Sequence, residues 1–149
     1  MGWSRAELSG YVSYHDVTKS LLDDLETHSF KWKRVREFHF IGHPGGAWWR
    51  GISEEVGDIY IHVGCEPGAI AHELGHGFEE CLRHRSHRTI EFSEDYAEAI
   101  RWFAEQREGP SSWCNEYRGR SKKHDAILKE CRYDWARFVD NLKRGHFFP

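Results

Sequence analysis

The chain has 149 residues, 39% hydrophobic, 15% aromatic and 30% charged, a balance that describes one globular domain with a sizeable core and excludes a disordered segment. Its 21 basic and 24 acidic residues leave a formal net charge of −3, so no strong field draws it to nucleic-acid phosphates or anionic lipid. Met1 to Gly10 is polar, unlike a signal peptide, and no apolar run is long enough to span a bilayer. We therefore expect residues 1–149 to form a single domain that is cytoplasmic, with no membrane and no nucleic-acid partner.

Taken in chain order, Val17, Leu21 and Leu25 recur every four residues with Leu22 beside them, which predicts an amphipathic helix from about His15 to Glu26. Val35, Phe38, Phe40 and Ile41 mark a strand within Lys33 to Ile41, and Pro44-Gly45-Gly46 is turn chemistry before a second strand, Ala47 to Ile52. Ile59, Ile61 and Val63 alternate with Asp58, Tyr60 and His62, the period-two pattern of a half-buried third strand. Pro67 suits the first turn of a helix over Ala69 to about Arg83, and Ser93 is an N-cap for another over Glu94 to about Gln106. Ile127, Cys131, Trp135, Phe138 and Leu142 form one long helical stripe that stops at Gly145. Segregated strands and helices of this order predict an α+β domain.

The four cysteines are widely spaced with no C-x-x-C pair, which argues against a structural zinc site of the zinc-finger type. The basic clusters Lys31 to Arg36 and Arg118 to Lys123 read as solvated strand or loop.

The chemistry concentrates in His72-Glu73-Leu74-Gly75-His76. Residues four apart on a helix share a face, so His72 and His76 can address one metal ion, with Glu73 beside them as a base. Imidazole suits zinc, and a catalytic site needs three protein ligands and an open position. Glu94 is the favoured third ligand, with Asp95 and Glu91 as rivals. Glu98 is placed one turn after Glu94 to brace a ligating histidine. Gly75 and Gly77 each cost about 1 kcal/mol against Ala inside a helix, a cost that close approach of other backbone would explain.

Ala71-His72-Glu73-Leu74-Gly75-His76 resembles the active-site helix of the zincin metallopeptidases, and Glu94-Asp95-Tyr96-Ala97-Glu98-Ala99 resembles the glutamate-ligand helix of the gluzincin branch. The E-x-x-A-E-A pattern also resembles anthrax-lethal-factor-type peptidases, and the short length is similar to that of the single-domain minigluzincins. The resemblance spans about Gly57 to Phe103; a third histidine at metzincin spacing is absent. It implies a small zincin-like α+β domain, with an N-terminal helix, a three-stranded mixed sheet, an active-site helix and C-terminal helices. It further implies one Zn²⁺ per chain on His72, His76 and Glu94, Glu73 as general base, Glu98 supporting, and a protein or peptide substrate. In that family the strand before the active helix holds substrate along its edge. Asp58 to Val63 takes this place, with Tyr60 and His62 as candidate substrate-binding residues. Tyr117 and His87 are candidates for steadying an oxyanion, and Cys65 reads as a structural thiol. The expected function is a zinc-dependent peptidase in which Glu73 assists attack by zinc-bound water. The alternative is a zinc-binding regulatory or interaction domain with a peptidase fold and little hydrolysis.

Overall fold

The structure, a computed structural model, describes residues 3–27, 30–86, 93–108 and 122–145. Among these it has helix α1 (Arg5–Glu26), strands β1 (Arg34–Pro44), β2 (Ala47–Gly51) and β3 (Val56–Val63), and helices α2 (Gly68–Ser86), α3 (Ser93–Glu108), α4 (Lys122–Glu130) and α5 (Trp135–Lys143). This is an α+β arrangement, with the N-terminal helix, three-stranded mixed sheet and following helices expected of the sequence. No helix of the described residues is long and apolar enough to cross a membrane.

Helix α1 begins about ten residues before its apolar stripe does. Ser4 Oγ accepts from the Glu7 N–H at 3.1 Å, while the Glu7 carboxylate accepts from the Ser4 N–H at 3.3 Å. This capping box satisfies two otherwise orphaned donors and fixes the start. Tyr11, Tyr14, Thr18, Leu21, Leu22 and Leu25 form the buried face. Thr18 takes the place expected for Val17, donating its hydroxyl to the Tyr14 carbonyl at 2.6 Å so that no polar group is left wanting. Tyr11 donates to the Cys65 carbonyl at 2.8 Å and ties α1 to the segment that leads into α2.

The sheet order is β1-β3-β2, with β1 parallel and β2 antiparallel to β3. The expectation that Asp58 to Val63 offers a free edge is therefore corrected: β3 is central, and both its edges are spent on β1 and β2. Chain order hid this, because the tight Gly45-Gly46 turn suggests a β1–β2 hairpin that does not form. The strands that bracket β3 leave β2 as an outer strand on the side of α2. Ile59 and Ile61 are fully buried beneath the helices, while Tyr60 on the opposite face is stacked between His39 and Trp48, with ring centroids 4.4 and 3.9 Å apart.

Helix α2 buries Ile70, Ala71, Leu74, Phe78 and Leu82, and each of the larger side chains contributes about 1.5–3 kcal/mol by leaving water. The glycines on α2 admit neighbouring backbone. A Cβ on Gly75 would stand 2.8 Å from Ala97 Cα, and one on Gly77 would stand 3.1 Å from the Lys33 carbonyl oxygen. The first closeness lets α2 and α3 cross in backbone contact; the second seats the entry to β1.

The single C-terminal helix predicted from Ile127 to Leu142 is corrected to two. Arg132 (φ 54°) and Tyr133 (φ 56°) are left-handed, and the Tyr133 N–H reaches back to the Leu128 carbonyl at 2.8 Å, closing α4 as a Schellman-type turn. Asp134 then caps α5, accepting from the Arg137 N–H at 3.2 Å. The stripe was misleading because Ile127, Cys131, Phe138 and Leu142 are all buried on either side of the break. One hydrophobic cluster joins α1, β3 and α2 to α3, α4 and α5.

Candidate metal centre

Helical geometry puts His72 and His76 on one face of α2, with their Nε2 atoms 3.0 Å apart. The α2–α3 crossing at Gly75 and Ala97 carries the first turn of α3 over that face. Glu94 reaches both rings from there: Oε2 is 2.9 Å from His72 Nε2 and Oε1 is 3.2 Å from His76 Nε2. One turn on, Glu98 Oε1 lies 2.7 Å from His72 Nδ1. Glu73 is buried beside the histidines, its carboxylate within 4.8 Å of their ring nitrogens.

This donor set fits zinc. Ligands about 2.0–2.1 Å from a tetrahedral centre stand roughly 3.3 Å from one another, and the 2.9–3.2 Å spacings between Glu94 and the imidazoles fall just inside that. Two imidazole nitrogens at 3.0 Å can hold at most one proton between them. The His72 and His76 side chains are 12% and 15% exposed and Glu94 is 71% exposed, so one side of the constellation is open. It faces a cleft of about 970 Å³ walled by β2, the turn before it, α2 and α3.

Electrostatics separates the roles. Burial opposes charge on His72, but hydrogen bonds with Glu94 and Glu98 outweigh it and raise its pKa to about 9. A metal would therefore compete with a proton there. The His72 ring in turn holds the Glu94 carboxyl below its ordinary range. Glu73 goes the other way. Burial pushes it up to about 7 against the pull of His72, and a main-chain hydrogen bond from Trp49 on β2 holds it in place. A carboxylate near neutrality is poised to take and return a proton.

The structure thus brings together His72, Glu73, His76, Glu94 and Glu98 as the sequence suggested. Of the rivals, Asp95 lines the cleft without approaching the imidazoles closely enough for an ion pair, and Glu91 lies outside the described residues. Tyr60 and His62 are corrected. Both point to the face of the sheet opposite Ile59 and Ile61, Tyr60 into the stack with Trp48 and His62 against His43, and neither lines the cleft. A strand exposes alternate residues to opposite faces, and with β3 central its polar set faces away from α2. Sequence reasoning missed β2 as the cleft wall and Trp49 as a partner of Glu73; the Gly-Gly turn followed by two tryptophans was the available signal.

Cys65 lines the cleft, but its thiol meets the Tyr11 hydroxyl at 3.6 Å and burial pushes its pKa up, as befits a structural thiol. Cys65, Cys81 and Cys131 form no disulfide. His87, Tyr117 and Cys114 lie outside the described residues. Of the first basic cluster, Lys33 pairs with Glu80 at 2.9 Å, Arg34 with Glu26 at 2.5 Å and Arg36 with Asp58 at 2.7 Å. The chain matches no protein-family model, and neither a characterised protein nor a solved structure is detectably similar to it.

Proposed function

We propose that the chain is a zinc-dependent peptidase. The observation that carries the reading is the convergence of His72, His76 and Glu94 on one point, with the Glu73 carboxylate beside them and a cleft on the open side. His72, His76 and Glu94 would hold one Zn²⁺ per chain. Glu98, on Nδ1 of His72, orients that ring so that Nε2 faces the other two ligands. When bound, zinc polarises a peptide carbonyl and brings the pKa of water towards ~7.

The chain's own groups do the rest. Glu73 accepts the proton of the attacking water and passes it to the departing amine. β2 is an outer strand next to the cleft, and its outward main-chain groups, apart from the Trp49 N–H that meets Glu73, would pair with an extended peptide running past Glu73.

Elemental analysis and a peptide-library digest test this together. The expected result is close to one zinc per chain and measurable cleavage. Glu73→Gln is expected to keep the zinc and lose about 10²–10⁴-fold in rate, the usual contribution of a general base. A wild-type protein that takes up no zinc when supplied with it would end the reading. Zinc without cleavage would instead favour a regulatory or interaction domain on the same scaffold.

A further inference from the structure

Seven carboxylates line the cleft, those of Glu66, Glu73, Glu79, Glu80, Glu94, Asp95 and Glu98, against the single guanidinium of Arg101. Most have an evident employment. Glu94 and Glu98 face the imidazoles, and Glu73 sits beside them. Glu66 pairs with Arg101 at 2.5 Å. Glu80 binds Lys33 at 2.9 Å and the Trp49 indole N–H at 3.1 Å. Glu79 is also engaged.

Asp95 is different. It is 4% exposed, lines the cleft, and its Oδ1 has no hydrogen-bond partner. An acid in the first turn of a helix is ordinarily solvated or accepts a main-chain N–H. Neither serves Oδ1 here. A buried carboxylate oxygen without a donor is costly, and a bound cation or water is one of the few things that offset the cost.

The structure assigns Asp95 to the recognition of a cationic side chain, the ammonium of a lysine or the guanidinium of an arginine, on the peptide residue flanking the bond to be cut. The assignment rests on the peptidase reading above. Asp95 and Glu94 share the first turn of α3 and line the same cleft, so a side chain held at Asp95 belongs to a peptide residue near the metal centre. The excess of carboxylates along the cleft favours the same sign of charge, and a neutral side chain would leave Oδ1 unanswered. Such a site selects by what it leaves unpaired as much as by what it pairs.

The test has two arms. In the first, zinc-loaded Glu73→Gln protein is titrated with two alanine-based decapeptides carrying either lysine or norleucine at the two central positions. The lysine peptide is expected to bind about tenfold tighter, the value of one charge-assisted hydrogen bond. Adding Asp95→Asn should bring the two within about twofold, and Asp95→Glu, which keeps the charge, should restore most of the difference. In the second, library cleavage sites of the wild-type protein should be enriched in lysine or arginine next to the cut. The peptide swap leaves the protein untouched, so a folding defect in the variant cannot imitate it. Equal binding of the two peptides, or a preference that survives Asp95→Asn, would overturn the assignment. Cleavage without a basic preference would sink it while sparing the peptidase. A lysine preference in binding without any cleavage would keep the site and sink the peptidase.

Discussion

Among the described residues, two groups of histidine and carboxylate have donor atoms close enough to hold a metal ion, and they differ in whether a cation is already at hand. The first, His72 with Glu73 and His76, lies under the α2–α3 crossing. The second, Glu37 with His39 and Asp58, lies on the helix-free face of the sheet. In the second, Asp58 already accepts from Arg36 Nε at 3.1 Å and Nη2 at 2.7 Å, and His39 Nε2 stands 3.2 Å from Oδ2. A fork of two N–H donors satisfies a carboxylate in charge and geometry, so a cation is already supplied. In the first, Glu94 meets imidazoles, which become metal ligands by giving up a proton. Proximity of donors is therefore a weak sign of a metal site; the absence of a competing fixed cation is the stronger one.

The largest effect that would break this comparison is on zinc affinity. Glu94→Ala is expected to weaken zinc binding well beyond the roughly 10- to 100-fold loss typical of removing a supporting group, and Glu98→Ala to fall within that range. His39→Ala should leave both the affinity and the one-zinc stoichiometry as they are. Competition with a chromophoric chelator measures all three. A wild-type protein that binds two zinc ions, one of them lost in His39→Ala, would place the two groups on an equal footing.

A smaller effect probes how the first group is assembled. In the middle of a helix alanine is favoured over glycine by about 1 kcal/mol. At Gly75 the added methyl would stand 2.8 Å from Ala97 Cα, a backbone atom that cannot yield alone, and overpacking of this kind costs about 1–3 kcal/mol. Gly75→Ala is therefore expected to lower unfolding stability by about 1 kcal/mol net and to weaken zinc binding, because α3 carries Glu94 with it. Gly46→Ala, where the methyl meets nothing within 4 Å, serves as the comparison in the same denaturant titration. A stabilised Gly75→Ala would show that the helices part without cost.

How far these features could be read in the sequence follows from how local each one is. The pairing of His72 with His76 is fixed by helix pitch, and the alternation in β3 by strand geometry, so both were legible. Glu94 and Glu98 were legible because their four-residue spacing matches the pitch of the helix they meet. Strand order was not, because nothing local in Pro44-Gly45-Gly46 says that β2 passes β3 and pairs on its far side. With β3 central, its edges are taken by β1 and β2, and Tyr60 and His62, named as substrate-binding candidates, do not line the cleft. The break between α4 and α5 was hidden because two non-glycine residues, Arg132 and Tyr133, take the left-handed conformation that a sequence reader expects of glycine. Asp95 was weighed only as a ligand, since burial without a partner is a property of the packed structure alone.

The smallest effect sharpens the comparison from the other side, through pH. The Arg36 guanidinium, with a lesser hydrogen bond from His39, holds the Asp58 carboxyl below its ordinary range in the folded chain. A carboxyl whose folded pKa is depressed adds stability above its unfolded value, about 3.9, and that stability is lost as pH falls through the folded value. Arg36→Met removes the cause. The variant is therefore expected to be less stable than the wild type by a constant margin between about pH 5 and pH 7, with the margin narrowing below about pH 4 as Asp58 takes up its proton in the wild type. Because the Arg36 side chain is 49% exposed, solvent screens the pair and the margin should be modest. Thermal unfolding of both proteins across that range measures it. A margin that stays the same down to pH 2 would mean that Arg36 acts through the packing of its stem, and the account of Asp58 as a carboxylate already supplied with its cation would fail.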